Sequence, residues 1–171
     1  MVLLKIKNVL DKLLETLIIV SVVILTLDVL WQVFTRFVLK NPCTWSEELA
    51  VFMIIWVALL GSAVALGRGS HLGVDYFVSK LPEKLRIKCE VIVFFIIATF
   101  SLTVFVIGGT NLVISILKLG QVSPSLGVEV GYVYLAIPIS GFFMTLYSLI
   151  AMSERLKPSG NTQRTERKDA I

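Results

Sequence analysis

Residues 49–67 read LAVFMIIWVALLGSAVALG, an apolar run without a charged side chain. A helix needs about 20 predominantly apolar residues to cross the ~30 Å hydrocarbon core of a bilayer. Two carboxylates, Glu47 and Glu48, come just before the run, where the dipole of a starting helix favours negative charge. The stretch therefore predicts a transmembrane helix, capped at its start by the hydroxyl of Thr44 or Ser46.

Apolar blocks of similar length lie on both sides of this run and predict four spans, at about residues 14–39, 47–67, 90–117 and 130–152. The chain is 56% hydrophobic and 16% charged, whereas soluble domains carry about a quarter charged residues. Each span must be helical, because lipid offers no partner for backbone N–H and C=O groups. The sequence thus predicts an all-α integral membrane protein, with a single four-helix membrane domain at 1–152 and a polar tail at 153–171.

The segments around the spans carry weaker patterns. Residues 72–81 have apolar side chains at helical spacing and predict a short amphipathic helix on the membrane surface between helices two and three. Residues 1–14 fit either an interfacial helix or an extension of the first span. In the last span, Pro138 predicts a kink, since proline removes a helical hydrogen bond. Tyr147 is placed to anchor the inner interface.

The basic residues predict the orientation of the chain. Thirteen of the 16 lysines and arginines precede span one, lie between spans two and three, or follow span four. The positive-inside rule then places both termini in the cytoplasm of a multi-pass inner-membrane protein. No small-residue cleavage site follows the first apolar run, so we interpret it as an uncleaved anchor. The net charge of +4 is explained by topology and contact with membrane phospholipid, and no nucleic-acid partner is expected.

The residue inventory argues against an enzyme. Cys43 and Cys89 fall on opposite sides of the predicted membrane, so they cannot reach the ~4–7 Å Cα separation of a disulfide. His71 is the only histidine, which excludes paired haem ligands and a zinc-protease motif. The sequence contains no phosphate-binding loop. We therefore predict no catalytic residues, no metal site and no cofactor.

Asp28 is the one ionisable residue deep within a predicted span. Such residues commonly serve ion or proton coupling, and small self-assembling four-helix exchangers carry an acidic residue in their first helix. The other interpretation is structural, with Asp28 bonded to a neighbouring helix or a partner subunit. Arg36 is about 12 Å further along the helix and does not pair with it directly.

An ordered set of motifs around helix two resembles one family. The set begins with Asn41-Pro42-Cys43-Thr44-Trp45-Ser46-Glu47-Glu48-Leu49-Ala50, continues through Trp56-Val57-Ala58-Leu59-Leu60-Gly61, and ends with Arg68-Gly69-Ser70-His71-Leu72-Gly73-Val74-Asp75. It resembles the small membrane subunit (the DctQ-like small permease) of TRAP transporters, the tripartite ATP-independent periplasmic transporters. A second segment, Ser123-Pro124-Ser125-Leu126-Gly127, is similar to the entry of the family's last helix. Cys43 departs from the small or apolar residue that is usual there.

The resemblance implies a function that composition alone does not. TRAP systems import organic acids such as C4-dicarboxylates and sialic acids, using a sodium gradient. A periplasmic substrate-binding protein delivers the acid to a large multi-span membrane subunit, which carries the substrate and sodium sites. The small subunit has no transport site of its own and resembles a fixed scaffold.

The motif residues are candidates for a partner interface or a structural network. Trp45 and Trp56 share a narrow stripe of helix two, although tryptophan also anchors helices at the lipid surface. Gly61 belongs to a small-xxx-small pair, which allows close approach of helices. Glu47 and Glu48 are either helix-dipole partners or ligands of another subunit. Arg68, His71 and Asp75 form a polar network at the inner end or a solvated loop.

The predicted orientation is tested by thiol labelling. A membrane-impermeant maleimide added from outside should label Cys43, which lies in the first outer loop. It should spare Cys89 until the cells are opened, because that thiol lies on the cytoplasmic side. Mass spectrometry of single-cysteine variants gives the readout, with the cysteine-free variant as control. Labelling of Cys89 alone from outside would reverse the topology.

Overall fold

The structure, a computed structural model, describes residues 2–41, 43–68 and 82–156. Within these ranges the chain is helical apart from short connections. Four stretches are long and apolar enough to cross a membrane: Asp11–Phe37, Thr44–Gly67, Leu85–Lys118 and Val130–Ser153. The predicted all-α fold with four spans is therefore confirmed. The amphipathic helix predicted at 72–81 lies outside the described residues, as does the tail beyond residue 156.

Helix α1 is continuous from Val2 to Phe37. Of the two interpretations of residues 1–14, the extension of span one is therefore correct. The chain then turns through Lys40, whose φ is +50°, and the Asn41 N–H donates to the Thr35 carbonyl at 3.2 Å. This turn starts helix α2, Thr44–Gly67, antiparallel to α1.

The predicted hydroxyl cap of α2 is wrong. Cys43 occupies the cap position, and no side chain caps the helix there. Thr44 is already helical, and the Ser46 hydroxyl donates to Asp28 of α1. The Ser46 hydroxyl therefore links two helices instead of capping the start of its own.

The third span contains a π-helical segment that sequence reasoning missed. It begins as α3, Glu83–Phe100, continues through π1, Ser101–Gly108, and ends as α4, Gly109–Lys118. In a π-helix each N–H bonds five residues back, which widens the turn. The apolar pattern of a span hides this change, since hydrophobic residues are spread around the segment.

The fourth span is divided by a break at Leu135 into α5, Val130–Tyr134, and α6, Ala136–Leu156. The break lies three residues before Pro138, whose ring would clash with the carbonyl four residues earlier. The distortion predicted from Pro138 is therefore present. The loop before α5 is closed by a single bridge between Val122 and Glu129.

The spans form a row. Helix α1 packs along α2, α2 packs along α6, and α6 packs along α3 and π1. Among the described residues, the backbones of α2 and α3 do not pack against each other. A buried cluster lies in the half of the layer nearer the N-terminus of the chain, and it consists of Leu14, Leu60, Leu66, Phe94 and Tyr147. The result is a layer one helix thick, with α6 as the element that joins its two halves.

Glycines show where this layer is tight. A methyl group added at Gly141 of α6 would meet the side chain of Phe105 in π1, and the Ser101 carbonyl oxygen at 3.2 Å. Gly109 and Gly131 likewise lie against side chains of neighbouring segments. Gly61 of α2 is different, because nothing lies within 4 Å of an added methyl group. Close approach at Gly61 is therefore not used within this chain.

The two kinds of glycine should respond oppositely to alanine. We expect Gly141→Ala to destabilise the chain by about 1–3 kcal/mol, since Phe105 and the π1 backbone must shift. Gly61→Ala should be neutral or stabilising by about 0.5–1 kcal/mol, because alanine favours helix and meets open space. Thermal unfolding in detergent measures both, and equal destabilisation by the two variants would contradict the packing described.

Candidate functional site

Glu48 binds the loop that precedes the last span. Its carboxylate accepts hydrogen bonds from the Ser123 hydroxyl and from the backbone N–H groups of Ser125 and Leu126, at 3.2 Å to each N–H. Gly127, at φ +67°, closes the same turn by donating its N–H to the Ser123 carbonyl. The first turn of α2 is thus fastened to residues 123–127, and Glu48 is engaged within its own chain.

Glu47 has a different environment. Its side chain is exposed, and no hydrogen bond or ion pair to it is found within residues 2–41, 43–68 and 82–156. The two neighbouring carboxylates, which the sequence could not distinguish, therefore separate into one that closes a loop and one that faces outward.

Asp28 lies in the contact between α1 and α2. It is only 7% exposed, and the Ser46 hydroxyl donates to its Oδ1 at 2.6 Å. Ser46 itself is fully buried. Oδ2 of Asp28 has no partner among the described residues. The carboxylate therefore bonds its neighbouring helix α2 through one of its two oxygens.

Ion pairs hold the end of the layer where the N-terminus lies. Arg68, after α2, binds Glu15 of α1 at 2.5 Å. Glu90 of α3 is buried and pairs with Arg86 at 3.0 Å and with Arg155 of α6 at 2.9 Å. The inner network predicted for Arg68 together with His71 and Asp75 stays a prediction, because His71 and Asp75 lie outside the described residues.

Tyr147 belongs to this end of the layer but does not face lipid. It is 3% exposed, donates its hydroxyl to Asp11 and lies against Gly67. Its expected role as an interface anchor is wrong, because the phenol finds a carboxylate of α1 and a glycine that leaves room for the ring. This contact joins α6 to α1 across α2.

The remaining candidates on α2 differ in exposure. Trp45 is 42% exposed. Trp56 is half-buried and packs against the buried cluster. Gly61 lines a cavity of about 410 Å³ between α1 and α2, together with Ile18, Ile19 and the Glu15–Arg68 pair.

Sequence reasoning missed Asp11, Glu15 and Glu90 as structural partners. The Arg86–Glu90 spacing of four residues was a usable signal, since such pairs meet on a helix face. Tyr147 is far from its partner Asp11 in the sequence, and Arg155 is far from Glu90. Only the packing of the helices in a row brings each pair together.

Taken together, the charged contacts lie at the two ends of an apolar layer. No group of three or more metal-ligating side chains occurs in the described part of the chain. The geometry defines a multi-pass helical membrane protein in which the carboxylates Asp28, Glu48 and Glu90 bind residues of the same chain.

Comparison with known proteins identifies the family. The family model described as "Tripartite ATP-independent periplasmic transporters, DctQ component" matches residues 25–157. The chain belongs to this family. It is therefore a small permease component of a transporter, located in the inner membrane, and not an enzyme.

Curated proteins similar to this chain are consistent with this family. The chain is 30% identical over 123 residues to the sialic acid TRAP transporter small permease protein SiaQ of Vibrio cholerae, covering 70% of this chain and 67% of the relative. It is 29% identical over 105 residues to the C4-dicarboxylate small permease DctQ of Rhodobacter capsulatus, covering 58% of this chain and 44% of the relative. A 55-residue segment, 32% of this chain, is 38% identical to 9% of the sialic acid TRAP transporter permease SiaT of Haemophilus influenzae.

The adjacent carboxylates of α2 provide a matched test. Glu48→Ala should lower the midpoint of thermal unfolding and expose the loop at 119–129 to protease, because three donors lose their acceptor. Glu47→Ala should leave both properties unchanged, since its side chain faces outward. Limited proteolysis in detergent and an unfolding curve provide the readouts. Equal effects of the two substitutions would show that the loop is not held by Glu48.

Proposed function

We propose that the chain is the stationary small subunit of a sodium-driven TRAP transporter that imports an organic acid. It supports the large multi-span membrane subunit, which carries the substrate and sodium sites. The observation that carries this proposal is the internal use of its polar groups. Asp28, Glu48 and Glu90 all bind residues of the same chain, and the ion pairs stand at one end of the layer.

The positions of the cations support a subunit without its own substrate site. An anionic substrate is held by arginine or by helix N-termini near the membrane midplane. Arg68 is bound to Glu15, and both Arg86 and Arg155 are bound to Glu90. Arg36 lies at the other end of its helix. These arginines do not converge on one small molecule.

The partners follow from the family. We propose a large membrane subunit and a periplasmic substrate-binding protein, with membrane phospholipid around the exposed apolar faces. Similarity of one segment to a small part of a longer sialic acid permease supports a partner that is itself a membrane chain. We further propose that residues 1–152 form one domain, that both termini are cytoplasmic, and that the chain itself binds no cofactor.

The alternative is a self-assembling ion-coupled exchanger that uses Asp28. An exchanger needs its carboxylate to be accessible from each side of the membrane in turn. Asp28 is 7% exposed and accepts a hydrogen bond from Ser46 in the adjacent helix. This contact favours the structural role.

The substrate class comes from the relatives, whose names refer to sialic acid and C4-dicarboxylate. We propose an organic acid of this kind for the complex. The choice among such acids belongs to the periplasmic protein and the large subunit, since the small subunit offers an apolar layer.

Reconstituted uptake tests the proposal. Proteoliposomes with the chain and its large subunit should take up acid only when sodium and the matched periplasmic protein are present, and the chain alone should take up none. Asp28→Asn should keep the wild-type sodium dependence, because the amide oxygen still accepts from Ser46. Exchanging the small subunit for one from another system should leave the transported acid unchanged. Transport by the chain alone, or an altered sodium stoichiometry in Asp28→Asn, would favour the exchanger.

A further inference from the structure

One face of α2 is exposed along its length and carries small residues, Ala58, Gly61 and Ala65, towards its C-terminal end. The side chains along it recur at alternating steps of four and three residues, and all are exposed or partly exposed: Glu47, Val51, Ile54, Ala58, Gly61, Ala65 and Arg68. We call these seven residues the docking face. This spacing is the one with which a helix meets a second helix along its length.

Around Gly61 and Ala65, the docking face is a ridge between two grooves. On one side lies the 410 Å³ cavity against α1, which Gly61 and Ala65 line. On the other side, where α2 and α3 are held apart over α6, lies a cavity of about 450 Å³ that Ser62 and Ala65 line. Ala65 therefore separates the two grooves. A helix laid along the ridge could place side chains into both.

A buried hydroxyl in the second groove lacks a partner. Ser101, which lines this groove from the start of π1, is fully buried, and its Oγ has no hydrogen-bond partner among the described residues. An unmade hydrogen bond in apolar surroundings is costly. Acyl chains offer no acceptor, whereas a transmembrane helix can offer a polar side chain or a backbone carbonyl. The groove is therefore better suited to a helix than to lipid.

Gly61 likewise favours a helix over lipid as the neighbour of this face. The glycines at 109, 131 and 141 lie against neighbouring segments of this chain, but Gly61 opens onto empty space. Glycine destabilises a helix interior relative to alanine, and only a closely approaching helix gains from it. Where the chain presents surface elsewhere, as at Leu27, Ile92 and Phe95, its side chains are large and apolar, as suits lipid.

We infer that the docking face receives one transmembrane helix of the large subunit; this inference rests on the proposed function and names the surface involved. Charge disfavours a second copy of the chain as the occupant. Two copies inserted in the same direction and paired through this face by a two-fold axis would set Glu47 against Glu47. Like charges opposed in an interface are unfavourable, whereas a different helix can present a donor to Glu47.

The main test is recovery of the chain with its large subunit. The tagged large subunit is co-expressed with the chain, extracted in mild detergent and purified, and bound chain is compared with the amount inserted in the membrane. Gly61→Leu should reduce recovery about ten- to a hundredfold, as expected for overpacking at a close contact. Thr99→Leu should have no effect, because Thr99 is exposed on α3 and lines neither groove. Normal recovery of Gly61→Leu would overturn the inference.

The effect of Ser101→Ala on recovery depends on whether a partner helix or lipid fills the groove. If a partner helix bonds the hydroxyl, recovery should fall about three- to tenfold. If lipid fills the groove, removal of an unpaired hydroxyl should leave recovery unchanged or increased, which counts against the inference.

Crosslinking keeps the inference testable if a leucine variant fails to fold. In a background with Cys43→Ser and Cys89→Ser, Gly61→Cys labelled with benzophenone maleimide should crosslink to the large subunit on irradiation, and labelled Thr99→Cys should not. An adduct of about twice 19.0 kDa would identify a second copy as the occupant and overturn the inference. Absence of the Gly61→Cys adduct in an assembled complex would do the same. Failure of the wild-type chain to bind the large subunit would instead refute the proposed function itself.

Discussion

Helix α6 holds the layer together, and it does so under a constraint specific to membranes. Lipid is as apolar as leucine, so helices gain little from hiding apolar surface and associate through close packing. Fully buried small residues on α6, Ser140 and Ser148, and the contact of Gly141 with π1 allow this approach. Among the described residues the backbones of α2 and α3 do not pack against each other, so the order of the row depends on these few small side chains of α6.

Polar contacts complete what packing begins. Glu48 fixes the loop at 123–127 to the start of α2, and Glu90 joins α3 to α6 at the other end of the layer. The Asp28–Ser46 bond links α1 to α2 at the same end of the layer as Glu48. Contacts at both ends of the layer and packing through its middle support the stationary role that we propose.

The sequence was sufficient for the four spans, since each apolar block is as long as a bilayer is thick. It was sufficient for a break in the last span near Pro138, because proline acts locally. It was not sufficient for the π1 segment, for the partner of Glu48 or for the burial of Tyr147. These three features depend on which helices are neighbours. The sequence of an apolar helix face is similar whether that face contacts lipid or protein. Glu47 and Glu48 are identical in type and adjacent, so only the loop at 123–127 distinguishes them.

The single-row arrangement has a further consequence. Four helices closed into a ring could surround a lumen, but four in a line have no inside. Within residues 2–41, 43–68 and 82–156, α1 and the third span stand at opposite edges, and α2 and α6 fill the space between them. A chain of this shape behaves as a wall. Any transport pathway that this layer borders must be lined on its other sides by a different polypeptide.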